Sequence, residues 1–307
     1  MRILGIESSS LVASVALVEG ESLVAEYTTN FKKTHSQTLL PMIDEMMGMV
    51  GVTPDTVDAI AVAGGPGSFT GLRIGVATAK GLGLALQKPL IHIPTLDAMA
   101  YQFFGSDALI CPMMDAKRQQ VYTGLYTFDR GFQTLRGSRA MGVEEWLGEL
   151  AKMPRRSGLR GSRAMGVEEW PGEPAERVRR HERPDGARES AHLWGAGGEK
   201  AGHPVGGIAA GCPGEVQGDP VGLMPGRGAR IIFLGDGVPV YRDAIEAALG
   251  DRAQFAPPHM SRQRAGAVAA LGQVYFGEGS TVDGKDFPMV YLRKPQAERE
   301  RERKANR

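Results

Sequence analysis

The most constraining feature of the sequence is a glycine-rich segment that joins a short apolar strand to a long helix. Between an apolar run at residues 58–63 and a helical pattern that extends to about Leu86 lies GGPGSFTGLRIG, residues 64–75. A strand that feeds a helix through such a turn is typical of α/β proteins, and free N–H groups at the helix start can hold an anion. The segment has neither the lysine of a P-loop nor the third glycine of a dinucleotide site. We therefore favour a tight turn that seats a closely packed helix over a phosphate site.

Two helices carry more small or apolar residues than a single surface stripe requires. In the helix predicted over 70–86, which Ser68 or Thr70 can cap, small residues recur every fourth position: Gly71, Gly75, Ala79 and Gly83. Glycine costs a helix about 1 kcal/mol per residue, so this smooth side predicts close approach of another backbone. The helix predicted over 36–50, with Pro41 expected in its first turn, has apolar residues on two faces: Leu39, Leu40, Met42, Ile43, Met46, Met47, Met49 and Val50. Burial within its own domain and a subunit interface both explain such a helix.

The remaining pattern alternates strands and helices, which predicts an α/β fold. Three strands at the start of the chain favour an antiparallel meander. Strands are expected at 2–7, 11–18, 23–30, 90–93, 108–114, 121–128 and 230–234, and further helices at 95–104, 240–249 and 261–276. Residues after 134 look irregular.

One stretch of the chain departs from globular composition. LRGSRAMGVEEW occurs at 135–146 and again, identically, at 159–170, which indicates a local duplication and not a solenoid. Residues 155–229 are rich in glycine and proline and poor in aliphatic side chains, so they cannot bury enough apolar surface to offset the entropy of ordering. A disordered insertion and out-of-frame coding sequence both remain open for this stretch. Residues 296–307 are predicted to be a charged tail.

Composition excludes several classes of protein. The net charge of +1 means that contact with nucleic acid needs a local patch or a basic partner. Cys111 and Cys212 lie far apart with no CxxC pattern, so no disulfide framework or zinc cluster is indicated. No apolar run reaches the roughly 18 residues of a membrane span. Ser68 does not stand in a GxSxG pattern, which argues against a serine hydrolase. We expect a cytoplasmic protein without membrane contact.

Several short motifs, in this order along the chain, resemble the TsaB (YeaZ) family of tRNA threonylcarbamoyladenosine biosynthesis proteins. They are LGIESS at 4–9, His35-Ser36, the 64–75 segment, MMDAKR at 113–118 with Val121-Tyr122, and the PMVYLR sequence from Pro288. The resemblance covers about 1–134 and 230–295. It implies two ribonuclease-H-like lobes of the actin-like ATPase (ASKHA) kind. The first would comprise 1–105, and the second 106–295, interrupted by the disordered insertion at 155–229.

The resemblance implies a non-catalytic partner subunit that binds and activates TsaD, the subunit that transfers threonylcarbamoyl to the adenosine beside the tRNA anticodon. A TsaE-type ATPase is a further implied partner, tRNA would be reached indirectly, and a homodimer is an alternative assembly. The helices at 36–50 and 70–86 would form the partner interface. Its implied residues are Leu39, Met42, Met46, Met49, Gly71, Gly75, Ala79 and Leu82.

The same resemblance implies a vestigial nucleotide site. Glu7, Ser8 and Ser9 would stand near phosphate and metal, and Gly235 and Asp236 near adenosine. The alternatives are a solvated carboxylate at the end of a strand and ordinary turn residues. No catalytic residue is assigned. No metal ligand is assigned either, because TsaD-type subunits hold their metal with two histidines four residues apart on a helix, and no two of the six histidines here have that spacing. No cofactor is firmly assigned, and ATP or ADP at the interface with TsaD stays open. The alternative function is a stand-alone small-molecule kinase or ATPase of the actin-like fold.

Overall fold

A computed structural model describes residues 1–31, 34–128, 131–153 and 230–292. The predictions for the insertion at 155–229, for the second copy of the repeat and for the tail at 296–307 lie outside the described residues. Within the described ranges, no helix is both long and apolar enough to cross a membrane.

The first sheet begins with the predicted meander, which is confirmed. Its strands are β1 (Arg2–Glu7), β2 (Ala13–Glu19), β3 (Ser22–Thr29), β4 (Ala59–Ala63) and β5 (Leu90–Ile93). Their order is β3-β2-β1-β4-β5. β1, β2 and β3 pair antiparallel, whereas β4 and β5 continue the sheet in parallel. Helices α1 (His35–Val50), α2 (Phe69–Leu86), α3 (Thr95–Tyr101) and, much later in the chain, α6 (Ala265–Gly277) surround this sheet.

The two faces of the first sheet bury alternate residues of each strand, as strand geometry requires. Leu4 and Ile6 of β1 point into one core cluster with Leu39 and Met46 of α1. Ile3, on the opposite face of β1, belongs to a second cluster that contains α6 side chains. The sheet is thus the middle layer of three, and α6 completes the layer opposite α1 and α2.

The second sheet has the same topology as the first. Its strands are β6 (Leu109–Asp115), β7 (Gln120–Thr127), β8 (Gln133–Gly142), β9 (Ile231–Leu234) and β10 (Ala253–Phe255), and its helices are α4 (Val143–Lys152) and α5 (Val238–Leu249). The strand order is β10-β9-β6-β7-β8. β6, β7 and β8 form an antiparallel meander, and β9 and β10 add in parallel. Two ribonuclease-H-like sheets of this kind confirm the predicted fold class. The lobe boundary at 105/106 stays a prediction, and α6, which that boundary assigns to the second lobe, packs on the first sheet.

The prediction of irregular structure after residue 134 was wrong for 134–153. The first copy of the repeat forms the end of β8 and the start of α4. Val143, Trp146, Leu147 and Leu150 are buried at the i, i+3, i+4 and i+7 positions of an amphipathic helix. Trp146 Nε1 also donates to Cys111 Sγ at 3.3 Å, which ties α4 to the second sheet. The helical stripe is visible in the sequence but is shorter than three turns.

The prediction that Pro41 lies in the first turn of its helix was wrong. Helix α1 begins at His35, so Pro41 lies inside it. A proline at this position leaves the carbonyl of Gln37 without its helical donor. Both Pro41 and Gln37 are exposed, so solvent can satisfy that carbonyl.

Candidate functional site: two loops joined by one segment

The loop between β1 and β2 closes on itself instead of opening to solvent. Glu7 is 1 % exposed, and Ser8 and Ser9 are fully buried. The backbone N–H of Ser9 donates to Glu7 Oε1 at 2.6 Å. Ser8 Oγ donates to the carbonyl oxygen of Gly71 at 2.9 Å. The polar groups predicted to approach phosphate are therefore largely engaged within the chain.

Glu7 is a buried carboxyl group with no described cation beside it. Burial raises the pKa of Glu7 from 4.5 to about 7, although hydrogen bonds from Ser9 and Ser8 act in the opposite direction. Desolvation disfavours the charged form of a carboxyl group, and here it outweighs the donors. Near neutral pH the group therefore exists in both protonation states.

Helix α2 packs its smooth side directly onto this loop. The N–H of Ser68 donates to the carbonyl oxygen of Ser9 at 2.6 Å. A Cβ atom on Gly71 would overlap the carbonyl oxygen of Ser8, and one on Gly75 would overlap Ser8 Oγ. Close approach of another backbone, predicted from the four-residue spacing, is confirmed, and that backbone belongs to this chain. The glycine-rich segment acts as the predicted tight turn that seats a packed helix.

The loop after β9 forms a second polar cluster. Asp236 Oδ1 accepts from the N–H of Asp115, the last residue of β6, at 3.2 Å. Gly235 donates its N–H to the carbonyl oxygen of Ser261 at 2.9 Å. Its own carbonyl oxygen accepts from Arg262 Nη1 at 2.6 Å. Burial raises the pKa of Asp236, and the donor N–H of Asp115 and the charge of Arg262 partly offset this.

Two consecutive residues connect the two clusters. Arg262 reaches Gly235, whereas the next residue, Gln263, accepts from Ser10 Oγ at 3.1 Å. The β1–β2 loop and the loop after β9 are therefore both bonded to one segment, and that the five residues predicted for the nucleotide site act together stays a prediction. Sequence reasoning missed Arg262 and Gln263, because a short polar run before a helix carries no periodic signal.

The residues present do not fit a bound nucleotide in this conformation. Glu7, Ser8 and Ser9 offer no open surface, and both the N–H and the carbonyl oxygen of Gly235 are engaged. Two cavities of about 670 and 380 Å³ lie elsewhere, and none of these five residues lines either of them. In the part of the chain that the structure describes, no group of three or more His, Cys, Asp or Glu side chains is placed to hold a metal ion.

The residues of the implied partner interface lie at very different depths. Leu39, Met46, Gly71, Gly75 and Ala79 are buried in the chain's own core, Met42 and Leu82 are half-buried, and Met49 is 73 % exposed. The buried members have no side-chain surface to offer a partner, because α1 and α2 turn these residues toward the first sheet. Their partner role stays a prediction.

The outward faces of α1 and α2 carry a different apolar set. Leu40 is 50 % exposed on α1, and Leu84 is 83 % exposed on α2. A second stripe of small residues faces solvent on α2, namely Ala77, Gly81 and Ala85. We call Leu40, Met49, Ala77, Gly81, Leu84 and Ala85 the outer face. Exposed apolar groups on neighbouring helices can mark an interaction surface. On α1, Leu40 and Met49 are nine residues apart, so they lie on opposite edges of its exposed side.

Comparison with known proteins identifies relatives for about half of this chain. A profile of the family described as "TsaD: tRNA N6-adenosine threonylcarbamoyltransferase" matches residues 22–157. The tRNA threonylcarbamoyladenosine biosynthesis protein TsaB of Bacillus subtilis is 37 % identical over 157 residues, which cover 50 % of this chain and 68 % of that protein. Its counterpart in Escherichia coli is 34 % identical over 131 residues, which cover 42 % of this chain and 56 % of that protein.

A solved structure shares the fold of this chain. YeaZ from Pseudomonas aeruginosa superimposes with a TM-score of 0.57 at 20 % identity, over 95 % of this chain and 99 % of that one. At this identity the likeness concerns the arrangement of the two sheets and not the residues of a site.

Proposed function

This chain belongs to the TsaB family of tRNA threonylcarbamoyladenosine biosynthesis proteins, and from that premise we propose that it works as a non-catalytic partner of a TsaD-type catalytic subunit. In this role it binds TsaD and holds it in a productive conformation. It contributes a binding surface and no catalytic residue. The tRNA is then reached through the partner, a TsaE-type ATPase joins the assembly, and the complex acts in the cytoplasm.

The observation that carries the proposal is the outer face of α1 and α2. Leu40, Met49 and Leu84 expose apolar side chains, and Gly81 has no heavy atom within 4 Å of the place where a Cβ would stand. Small residues let a partner helix approach closely, and exposed methionine adapts to an irregular surface. The surface thus has the chemistry of a helix-on-helix interface.

Kinship with TsaD supports the choice of partner. Residues 22–157, which include α1 and α2, match the TsaD profile. Chains of common descent and fold can pair through equivalent surfaces around a pseudo-two-fold axis, as homodimers do around a true one. A heterodimer with TsaD uses the outer face in this way, and a homodimer of this chain is the competing assembly.

The packing of the β1–β2 loop supports a role without catalysis. A stand-alone kinase or ATPase needs this loop to receive phosphate, and here α2 and Gln263 cover it. We therefore expect little ATP turnover by the isolated chain. Robust turnover that falls in Glu7→Ala would favour the kinase alternative.

The test is co-purification with the TsaD-type protein of the same source, analysed by size-exclusion chromatography with light scattering. The wild-type chain should form a one-to-one heterodimer. The double variant Leu40→Asp/Met49→Asp places two charges on the outer face and should weaken the complex more than tenfold. Both side chains are exposed, so the fold should survive.

The matched control is Val240→Asp on α5, a substitution of an apolar residue that is 59 % exposed on another helix. It should leave the heterodimer intact. A wild-type chain that ignores TsaD would overturn the proposal. A heterodimer that tolerates Leu40→Asp/Met49→Asp would keep the partner role but overturn the outer face as its interface.

A further inference from the structure

Two arginines of the described chain stack on an aromatic ring, but only one of them has a carboxylate partner. On α5, Cζ of Arg242 lies 3.9 Å from the centre of the Phe255 ring, and its Nε forms an ion pair with Glu246 at 3.0 Å. On α2, Cζ of Arg73 lies 3.8 Å from the centre of the Phe69 ring. No ion pair joins Arg73 to a described carboxylate. The exposed Arg73 therefore carries a charge that the described part of the chain does not neutralise.

The Arg73 guanidinium is oriented by a second aromatic residue from the end of the described chain. Its Nε donates to the Tyr291 hydroxyl at 3.4 Å, and the Tyr291 and Phe69 rings lie 5.0 Å apart, centre to centre. The hydroxyl in turn donates to Met289 Sδ at 3.2 Å, which leaves its oxygen to accept from Arg73. Nη1 and Nη2 have no hydrogen-bond partner among the described residues. An arginine oriented in this way loses less side-chain entropy when it binds a partner.

Tyr291 reaches α2 because the residues just before it are anchored on the first sheet. Phe287 is 5 % exposed, and its ring lies 5.4 Å from the His92 ring of β5, centre to centre. The N–H of Val290 donates to the carbonyl oxygen of Gly64 at 2.8 Å. The orientation of the guanidinium is therefore a property of the folded chain and not of α2 alone.

The position of Arg73 does not stabilise its own helix. Helix α2 begins at Phe69, so the ring under the guanidinium belongs to the first helical residue. A cation beside a helix N-terminus is unfavourable, because the free N–H groups there carry roughly half a positive charge. An anion bound at the guanidinium would instead be attracted by both the arginine and the helix end. Helix stability therefore does not explain Arg73, whereas binding of an anion does.

The surroundings of Arg73 favour a protein carboxylate over an RNA phosphate. Arg73 precedes Ala77 by four residues, so it extends the small-residue stripe of the outer face toward the start of α2. On the neighbouring helix α1, Asp44 and Glu45 are exposed, and their charges repel a phosphate backbone. Binding to a phosphate backbone depends on several cations together. One arginine beside an apolar surface instead suits a single carboxylate.

We propose that Arg73 is the polar anchor of the outer face and binds a carboxylate of the TsaD-type partner through Nη1 and Nη2. This inference rests on the proposed function and adds a residue that determines partner specificity. The two Nη groups form a fork that matches the two oxygens of a carboxylate. A surface without an acid at this place would leave the guanidinium unpaired in the interface, which disfavours a wrong partner. Tyr291 is a positioning residue, because it acts through Arg73.

The test measures affinity for the TsaD-type protein of the same source by isothermal titration calorimetry, at about 50 and 500 mM NaCl. Arg73→Met removes the charge and should lose about tenfold or more in affinity at the lower salt concentration. Its affinity should also depend less on salt than that of the wild type, because one ion pair is missing. Arg73→Lys keeps the charge without the fork, so it should recover only part of the loss. Tyr291→Phe removes only the acceptor of Nε, and should lose about threefold with the salt dependence of the wild type.

The matched control is Arg242→Met, which removes the other stacked arginine. Since Glu246 already neutralises that charge within the chain, affinity for TsaD should change less than about twofold. Both arginines are exposed, so both variants should fold.

The outcomes separate this inference from the proposed function. A wild-type chain that binds TsaD no more tightly than Arg73→Met would overturn the anchor and leave the partner role intact. A wild-type chain that does not bind TsaD would overturn both. An equal loss in Arg242→Met would show a general effect of charge and overturn the anchor. So would a tRNA transcript that requires Arg73 for binding while Arg73→Met keeps its affinity for TsaD, because the arginine would then form an RNA contact.

Discussion

The two sides of α2 carry nearly the same sequence pattern and have opposite surroundings. Gly71, Gly75, Ala79 and Gly83 recur every fourth residue and are buried. Ala77, Gly81 and Ala85 recur at the same interval and face solvent. A stripe of small residues thus marks where a backbone can approach, and only the rest of the fold decides whether this chain or another supplies that backbone. At Gly71 and Gly75, on the buried side, the β1–β2 loop supplies the neighbouring atoms, and at Gly83 the residues Lys88 and Leu90 do so.

The largest expected effect on stability comes from adding a single methyl group at Gly71, on the buried side of α2. In Gly71→Ala the added methyl group would collide with the carbonyl oxygen of Ser8, a backbone atom that cannot rotate away. Overpacking of this kind against backbone should lower the free energy of unfolding by about 3 kcal/mol or more. Urea unfolding followed by circular dichroism measures it. A loss below about 1 kcal/mol would mean that the loop yields easily and that the inner side is not closely packed.

The next largest effect on stability tests whether the carboxyl group of Glu7, in the β1–β2 loop, is shielded from solvent. The pKa of Glu7 is about 7 in the folded chain and 4.5 in the reference state. Since the folded state holds the proton more tightly, stability is greatest below pH 4.5 and falls as pH rises through 7. Glu7→Gln keeps the oxygen that accepts from Ser9 and removes the charge. It should therefore match the wild type at low pH and exceed it above pH 7, by at most about 3 kcal/mol.

The measurement for Glu7→Gln is the difference in unfolding free energy between variant and wild type at a series of pH values from 4 to 8. Asp97, whose pKa burial raises to about 6, contributes equally to both proteins and cancels in the difference. A difference that does not change with pH would contradict the burial of Glu7 under α2.

The smallest expected effect is on the outer side and has the opposite sign. Gly81 lies within α2, and no heavy atom stands within 4 Å of its potential Cβ. Gly81→Ala should therefore stabilise the isolated chain by about 1 kcal/mol through helix propensity alone. The same unfolding experiment serves, and Gly71→Ala is its internal comparison. If Gly81→Ala destabilised the isolated chain, the two sides of α2 would not differ as described.

The sequence was sufficient to predict strands, turns and helix caps where the local pattern of residues is strong. Alternating apolar strands and the turn at Gly20 define the β1–β2–β3 meander, and Ser68 was one of two predicted caps for α2. Ser68 Oγ does accept the N–H of Gly71, at 3.3 Å. Close packing of the inner stripe also followed from the cost of helical glycine.

What could not be predicted depends on contacts between distant parts of the chain. Nothing near Gln263 indicates that it meets Ser10, and nothing in α2 distinguishes its two small-residue stripes. Likewise, α6 has apolar and small residues on most sides, so its pattern does not reveal that it packs on the first sheet. Tertiary packing determines these contacts, and the spacing of apolar residues along a single helix or strand does not predict them.

The position of α6 has a consequence for synthesis on the ribosome. The N–H of Ala265, at the start of α6, donates to Ser14 Oγ across 251 positions of sequence. At about 5–20 residues per second, the ribosome needs tens of seconds to add that length of chain. During this interval the apolar face of β1 and β4 that α6 later covers is open. The nascent chain of this protein should therefore bind holdase chaperones until α6 emerges, and truncation before Ala265 should leave the first sheet prone to aggregation.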